Sequence, residues 1–393
     1  MTGKDGWNND GSELAAFTAG VQQRLRRTTV TEPADLRGFV FPPNFDFREF
    51  FVGEKHHVNF SLATFGDGAD FSGVVFGDYA DFSSANFMSG GNFHKATFGA
   101  MAIFRGARFG YFPNFEGAIF GFIGEFRDSI FVNAANFSKA KFHGYTNFSA
   151  DAEFRDINFS DAKFKRHCFF NNRAFVTGGS FNGAVFEGLV EFHGCKFHQG
   201  MSFHETRFLK TKGEKRGTQK DINERTERLE RSYRTLKLKM EELRARNEEA
   251  MFFALEMECR RNRGDVPRIE RIAAMLYKHL SDYGQSIRWP LSWLGGVTVI
   301  MGSIYFYLLW ATFSPAPTDI WGGAPKVKSV VAFTVEQMFR PFYVWSKDSA
   351  GIRLNLFDDS ALLIPLLASL QSLATLSLLA LFLLALRRRF KMD

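Results

Sequence analysis

The chain has 393 residues, 48 of them Phe, with 49 basic and 42 acidic side chains for a net charge of +7. That length exceeds one ordinary domain, and three Cys without a CxxC pair exclude a disulfide framework or a paired-Cys metal site. The charge is uneven: residues 1–213 carry 22 basic and 22 acidic side chains, so the N-terminal half has no net field for nucleic acid and no such partner is expected.

The opening MTGKDGWNNDGSEL is polar and lacks the apolar core of a signal peptide, so residues 1–33 read as a disordered leader. Residues 34–58 read as an N-terminal cap or imperfect coil. Within 59–209, Phe recurs at 60, 65, 71, 76, 82, 87, 93 and onward to 148 in alternating steps of five and six. After a slip from Phe148 to Phe154 the pattern resumes through Phe208, giving 28 Phe over 149 residues. A helix repeats its apolar positions every three or four residues and a strand every two, so the spacing fits neither.

Two further positions repeat. The residue two before each Phe is usually small (Ala63, Ala69, Ala80, Ala85, Gly91), and the one just before is often Asp70, Asp81, Asn86, Asn92 or Asn114. A solenoid accommodates all three: each unit is one side of a squared coil, with Phe and the small residue inward and polar residues at the corners. Cys168 and Cys195 fall in small-residue positions and read as inward packing. The stretch 165–179, KRHCFFNNRAFVTGG, puts Arg173 in such a position and predicts a kink or bulged corner.

The unit resembles that of the pentapeptide-repeat family, whose Ala-(Asp/Asn)-Leu-x-x repeats build a β-helix; Ala34-Asp35-Leu36 is a literal instance. The resemblance implies a mainly β solenoid, a right-handed quadrilateral β-helix, over about two-fifths of the chain, and says little about function. Here Phe replaces the central Leu, and the five-six alternation lengthens each four-sided coil to 22 residues through wider corners. Some members of that family are acidic rods that mimic DNA; a neutral rod points away from that use.

Residues 210–263 read as a basic linker, KTKGEKRG (210–217), and an α-helical neck. Leu229, Tyr233, Leu236, Met240, Leu243, Asn247, Ala250, Ala254 and Met257 step by four and three, as in a coiled coil. Leu229, Leu236, Met240, Leu243 and Asn247 are the candidate oligomer seam; the alternative is packing against the rod end or a neighbouring helix. Over 264–289, Asp265 and Pro267 read as N-cap and first-turn proline of a second helix. Its stripe of Ile269, Ile272, Leu276, Leu280, Tyr283 and Ile287 suits a membrane surface or packing against the first helix.

Two uncharged runs, 290–313 and 361–386, exceed the length needed to cross a bilayer. Basic residues precede the first and RRRFK follows the second, within the tail 387–393, so both termini are expected in the cytoplasm of a bacterial inner-membrane protein. The loop 314–360 is then external, and 329–345, SVVAFTVEQMFRPFYVW, reads as a re-entrant segment. Span, dip and span resemble the plan of two-span channels. A potassium filter needs Thr-x-Gly-Tyr-Gly, whereas Thr334 precedes Val335, Glu336, Gln337 and Met338. Thr334, Glu336, Gln337 and Arg340 are the candidate loop or pore-lining residues.

No phosphate loop, HExxH or GxSxG pattern appears, so no enzymatic activity, cofactor or catalytic residue is expected. His193, His198 and His204 each follow a ladder Phe and fall on successive sides of the coil, too dispersed for a metal. The expected function is a membrane protein holding a cytoplasmic rod as a scaffold for an unidentified cytoplasmic protein, with the lipid bilayer as its other partner. The alternative is a homo-oligomeric two-span pore, not potassium-selective, regulated by rod and neck.

Overall fold

The five-six alternation builds a parallel β-solenoid in which successive turns pair along four sides, through short strands on most of them and isolated bridges such as Asn92↔Asn114 on another. A computed structural model describes residues 12–26, 28, 32–51, 55–208, 218–312, 324–339 and 363–390. The longest ladder is eight-stranded and passes through Ala34, Val58, Ala80, Ala102, Gly124, Thr146, Cys168 and Val190, so the rod has about eight turns. Successive partners are one 22-residue coil apart, as in Phe65↔Phe87 and Phe120↔Phe142.

Every ladder Phe from Phe60 to Phe192 is buried. Along one side the rings stack, Phe93 on Phe115 and Phe115 on Phe137, with centroids 4.7 Å apart. Across the core they meet edge-on, as Phe104 and Phe115 do at 5.6 Å and 85°, the two arrangements the ring quadrupole favours. The Asp/Asn position has its own ladder: Asn92 Nδ2 donates to Asp70 Oδ1 at 3.0 Å and Asn114 Nδ2 to Asn92 Oδ1 at 3.3 Å. The same oxygens accept from backbone N–H groups two residues on, which fixes the turn.

Corners come in two kinds. After Phe60 and Phe82 the chain turns tightly through Leu62 (φ 59°) and Ser84 (φ 53°), and the N–H of Ala63 and Ala85 donates back to the Phe carbonyls. That turn requires positive φ at its third residue, which favours the Gly, Asn and Asp found at Gly73, Gly106, Asp128, Asp161 and Asn172 and is tolerated by Leu62, Ser84 and Lys95. The six-residue steps make the other corners, where coils approach so closely that a Cβ on Gly121 would overlap the Gly99 carbonyl oxygen.

Residues 34–51 and 55–58 belong to an imperfect first coil, as expected: Ala34 pairs with Val58, a 3-10 helix covers Arg48–Phe50, and buried Leu36 takes the Phe position. Two expectations change. Part of the expected leader is helix α1 (Ser12–Leu25), which buries Val21 and Leu25 and sets Phe17 edge-on to Phe41 at 5.5 Å, closing the first turn. Residues 165–179 keep regular pairing, Cys168↔Val190 and Phe175↔Phe197, so the kink expected there is not found. The ladder instead breaks one turn earlier, between Phe131 and Phe154, where the slip falls. Arg173 reaches back across this turn, fully buried: Nε donates to the Phe148 carbonyl at 2.6 Å, Nη2 to Ser129 Oγ at 3.3 Å, and the guanidinium lies 4.3 Å over the Phe154 ring. Burial pushes its pKa down to about 9, with Asp128 opposing.

The heptad does not form one continuous helix. It breaks into α2 (Gln219–Glu242) and α3 (Arg246–Asn262) at Arg244, whose φ is 55°. Folding back lets Leu229, Tyr233, Leu236 and Met240 bury against α3 and the last turn, where Phe252 meets Phe203 at 5.3 Å and Phe208 at 5.5 Å. A straight helix would have left those end rings open. Of the candidate seam, Leu229, Leu236 and Met240 are buried within the chain, while Leu243 is only partly buried and Asn247 is exposed. Arg234 bridges Glu230 at 2.7 Å and Glu256 at 2.8 Å across the hairpin, and Thr218 with Asp221 forms a capping box.

The chain forms two compact units, Met1–Asp265 and Val266–Asp393. The second holds α4 (Arg268–Ser281), α5 (Arg288–Thr312), α6 (Ala324–Phe339) and α7 (Leu363–Phe390). Pro267, not Asp265, occupies the N-cap of α4, because Asp265 is taken by Arg263, whose Nε donates to it at 3.0 Å. Two helices, over Arg288–Trp310 and Leu363–Arg387, are long and apolar enough to cross a membrane.

Candidate functional site

The polar residues of the second unit gather where α5, α6 and α7 meet. Tyr305 on α5 donates from its hydroxyl to Gln371 Oε1 on α7 at 3.1 Å, and Gln371 Nε2 donates to the Thr334 carbonyl of α6 at 2.9 Å. Ser372 Oγ reaches the Gln337 carbonyl at 3.3 Å and its own helix at the Ala368 carbonyl at 2.9 Å. Around this node Phe333 meets Tyr305 edge-on at 5.3 Å, and Leu309, Val330, Ile364 and Ala368 pack as an apolar collar. Gln337 is fully buried, and neither end of its amide has a hydrogen-bond partner among the described residues. A buried polar group without a partner costs roughly 1–3 kcal/mol, so this side chain is open to a further polar contact.

Of the four residues nominated in the loop, Thr334 and Gln337 are buried in this node and Glu336 is half-buried on the same helix. Arg340 lies outside the described residues, as does the rest of 340–345, so the described part of the segment is a helix, 324–339. Tyr305, Gln371, Ser372 and Thr375 are not among the sequence candidates, because they lie within runs that are otherwise apolar. Their signal was present: Ala368, Gln371, Ser372 and Thr375 recur at three and four residues, one face of a helix otherwise made of Leu.

The rod carries a different kind of surface. Phe122 lies off the Phe ladder and is exposed, 6.1 Å edge-on from Tyr145, which in turn meets His167 at 5.4 Å. Arg225 of α2 donates to His167 Nε2 at 3.1 Å, so this aromatic strip runs into the neck. Beside it, Glu191, His193, Arg228, Arg231, Ser232 and Thr235 line a cleft of about 260 Å³ with a basic rim. His204 pairs with Glu205 at 3.7 Å and His198 Nδ1 accepts from the Gly200 N–H at 3.0 Å; each is occupied locally. Among the described residues no group of three or more His, Cys, Asp or Glu is arranged to hold a metal ion. Cys168, Cys195 and Cys259 are free and buried, and burial pushes the Cys195 thiol up to about 12, far from a reactive thiolate.

No family model, no curated protein and no solved structure matches the chain.

Proposed function

We propose that this is an integral membrane protein of the pentapeptide-repeat type that holds its β-helical rod in the cytoplasm as a scaffold for a protein partner. The observation that carries the reading is the contrast between a rod closed at both ends and helices whose apolar sides stay open. Helix α1 covers the first turn and α2 with α3 covers the last, so a partner is left the lateral faces, among them the Phe122–Tyr145–His167 strip. The apolar stretches of α5 and α7 stay mostly exposed, as suits helices solvated by lipid rather than packed as a soluble core. Basic flanks at Arg268, Arg271, Lys278 and Arg288, and Arg387 to Arg389 after the second span, favour a cytoplasmic side for both termini in a bacterial inner membrane. The full chain should resist alkaline carbonate extraction, and a chain ending at Asp265 should stay in the supernatant. A truncated chain that still pellets with membranes would remove the anchoring model.

A second reading is supported by the node. A helix set between two spans, with a buried unpartnered amide, is also what one subunit of a homo-oligomeric pore contributes, and two spans per chain enclose no ion path alone. Light scattering in mild detergent tests it: a tetramer or larger ring followed by ion flux in liposomes supports the pore, and a monomer stable to dilution eliminates it.

A further inference from the structure

We propose that α4 lies in the headgroup layer of the bilayer, bound to anionic phospholipid, and so fixes the depth at which α5 enters the membrane. The proposal rests on the reading of α5 and α7 as spans.

Helix α4 has two unlike faces. Ala274 and Ser281 are buried against the rest of the unit. On the opposite side Ile269 is 80% exposed and Ile272 52%, and Met275 and Leu276 are exposed with them. These positions recur at three and four residues, so the apolar stripe points away from the protein that α4 packs on. That is the reverse of a water-soluble amphipathic helix and leaves the stripe in want of an apolar phase.

Three observations name that phase. First, Arg268, Arg271 and Lys278 against a lone Glu270 give the helix a basic character that complements phosphate and anionic headgroups. Second, the apolar surface continues into α5, where Trp289, Leu291 and Trp293 are exposed at the level where aromatic side chains gather in membrane interfaces. Third, the junction is fixed. Asp282, Tyr283 and Gly284 take φ of 48°, 57° and 78°, Tyr283 is buried, and Trp293 Nε1 donates to the His279 carbonyl at 3.0 Å. The direction in which the stripe faces is therefore set by α5 and not left to a swinging linker. An apolar stripe, a basic flank and Trp at the boundary together define a helix that lies in an interface and does not span it.

The test uses the full chain in nanodiscs of phosphatidylcholine alone or mixed with phosphatidylglycerol. The native Cys168, Cys195 and Cys259 are buried, so an added Cys is labelled selectively. A fluorophore on Ile272→Cys reports α4, and one on Val299→Cys reports α5. Quenchers attached at headgroup and mid-chain depth, and aqueous iodide, read immersion. The expected result is a Val299 probe quenched from mid-chain and an Ile272 probe quenched from headgroup depth, shielded from iodide and more so with phosphatidylglycerol. Arg268→Glu should shift the ratio of immersed to exposed Ile272 probe about fivefold or more in the anionic discs and little in neutral ones. An iodide-accessible Ile272 probe beside a deep Val299 probe overturns the proposal while the spans stand, and hands the stripe to a protein partner. Equal immersion in both lipids overturns the anionic-headgroup assignment. A Val299 probe open to iodide removes the span reading and this proposal with it.

Discussion

The rod buries an almost wholly apolar core, whereas the C-terminal helices bury polar side chains beside their apolar ones. The rod packs Phe on Phe and Ala on Ala inside, and it keeps its Asp and Asn ladder toward the corners. Between α5, α6 and α7 the buried set includes Tyr305, Thr334, Gln337, Gln371, Ser372 and Thr375, while Val299 on the outside is 69% exposed. With α5 and α7 read as spans, as proposed above, both arrangements follow one rule applied to two solvents. In water, apolar area is what must be hidden. In hydrocarbon, hiding apolar area gains little, and the polar groups are what must find each other.

The largest expected effect breaks or upholds that comparison directly. Phe115→Ala removes a ring stacked on two neighbours and touched edge-on by others, and should cost about 3–5 kcal/mol. Because each turn touches only its neighbours, the loss should appear in denaturant unfolding as separation of the rod into segments. Leu370→Ala, on an exposed face of α7, should change stability by no more than about 0.5 kcal/mol. Equal losses at the two sites would mean that α7 is a buried core helix and that the contrast is mistaken.

Arg173 is the point where the rod departs from its own rule, and it comes next in size. Arg173→Ala would empty the space left by the slip and strip the Phe148 carbonyl of its donor, for about 2–4 kcal/mol. A neutral result in thermal unfolding would show that the slip is tolerated without a filler. Smaller again is the cap of α2. Thr218→Ala should cost about 1 kcal/mol. The Thr218 backbone N–H donates to Asp221 at 2.8 Å and holds that carboxyl below its usual range. A depressed carboxyl stabilises the fold above its unfolded pKa, and this is lost as pH falls through the folded value. Asp221→Asn should therefore flatten the acid side of the stability profile, and an unchanged profile would dismiss the cap's role.

Much of this was legible in the residues, and the failures have physical causes. The rod declared itself because a 22-residue coil stacks like on like, so one Phe spacing specifies four ladders at once. The neck did not, because the stripe from Leu229 to Met240 looks the same whether it faces another copy or the chain's own end rings. Only the three-dimensional need to cover Phe203 and Phe208 decides. Arg173 read as a disruption because its function, filling a gap made in the preceding turn, is invisible in its own repeat. Thr334 and Gln337 drew notice in the loop, yet their partners Tyr305 and Gln371 lay hidden in runs classed as apolar.

The smallest effect separates the two roles of those partners. Gln371→Leu breaks the bonds to Tyr305 and to the Thr334 carbonyl. Polar contacts between helices in a membrane are worth about 0.6 kcal/mol each and rarely more than about 1.7, so unfolding in bicelles should show a loss in that range. Gln337→Leu should show none, or a gain, since it removes an amide that has nothing to bond among the described residues of a single chain. The reverse order would be the more informative result. A destabilising Gln337→Leu means that this amide has a partner beyond the described residues, and if the loss appears only at concentrations where copies associate, that partner is a neighbouring copy, as the pore requires.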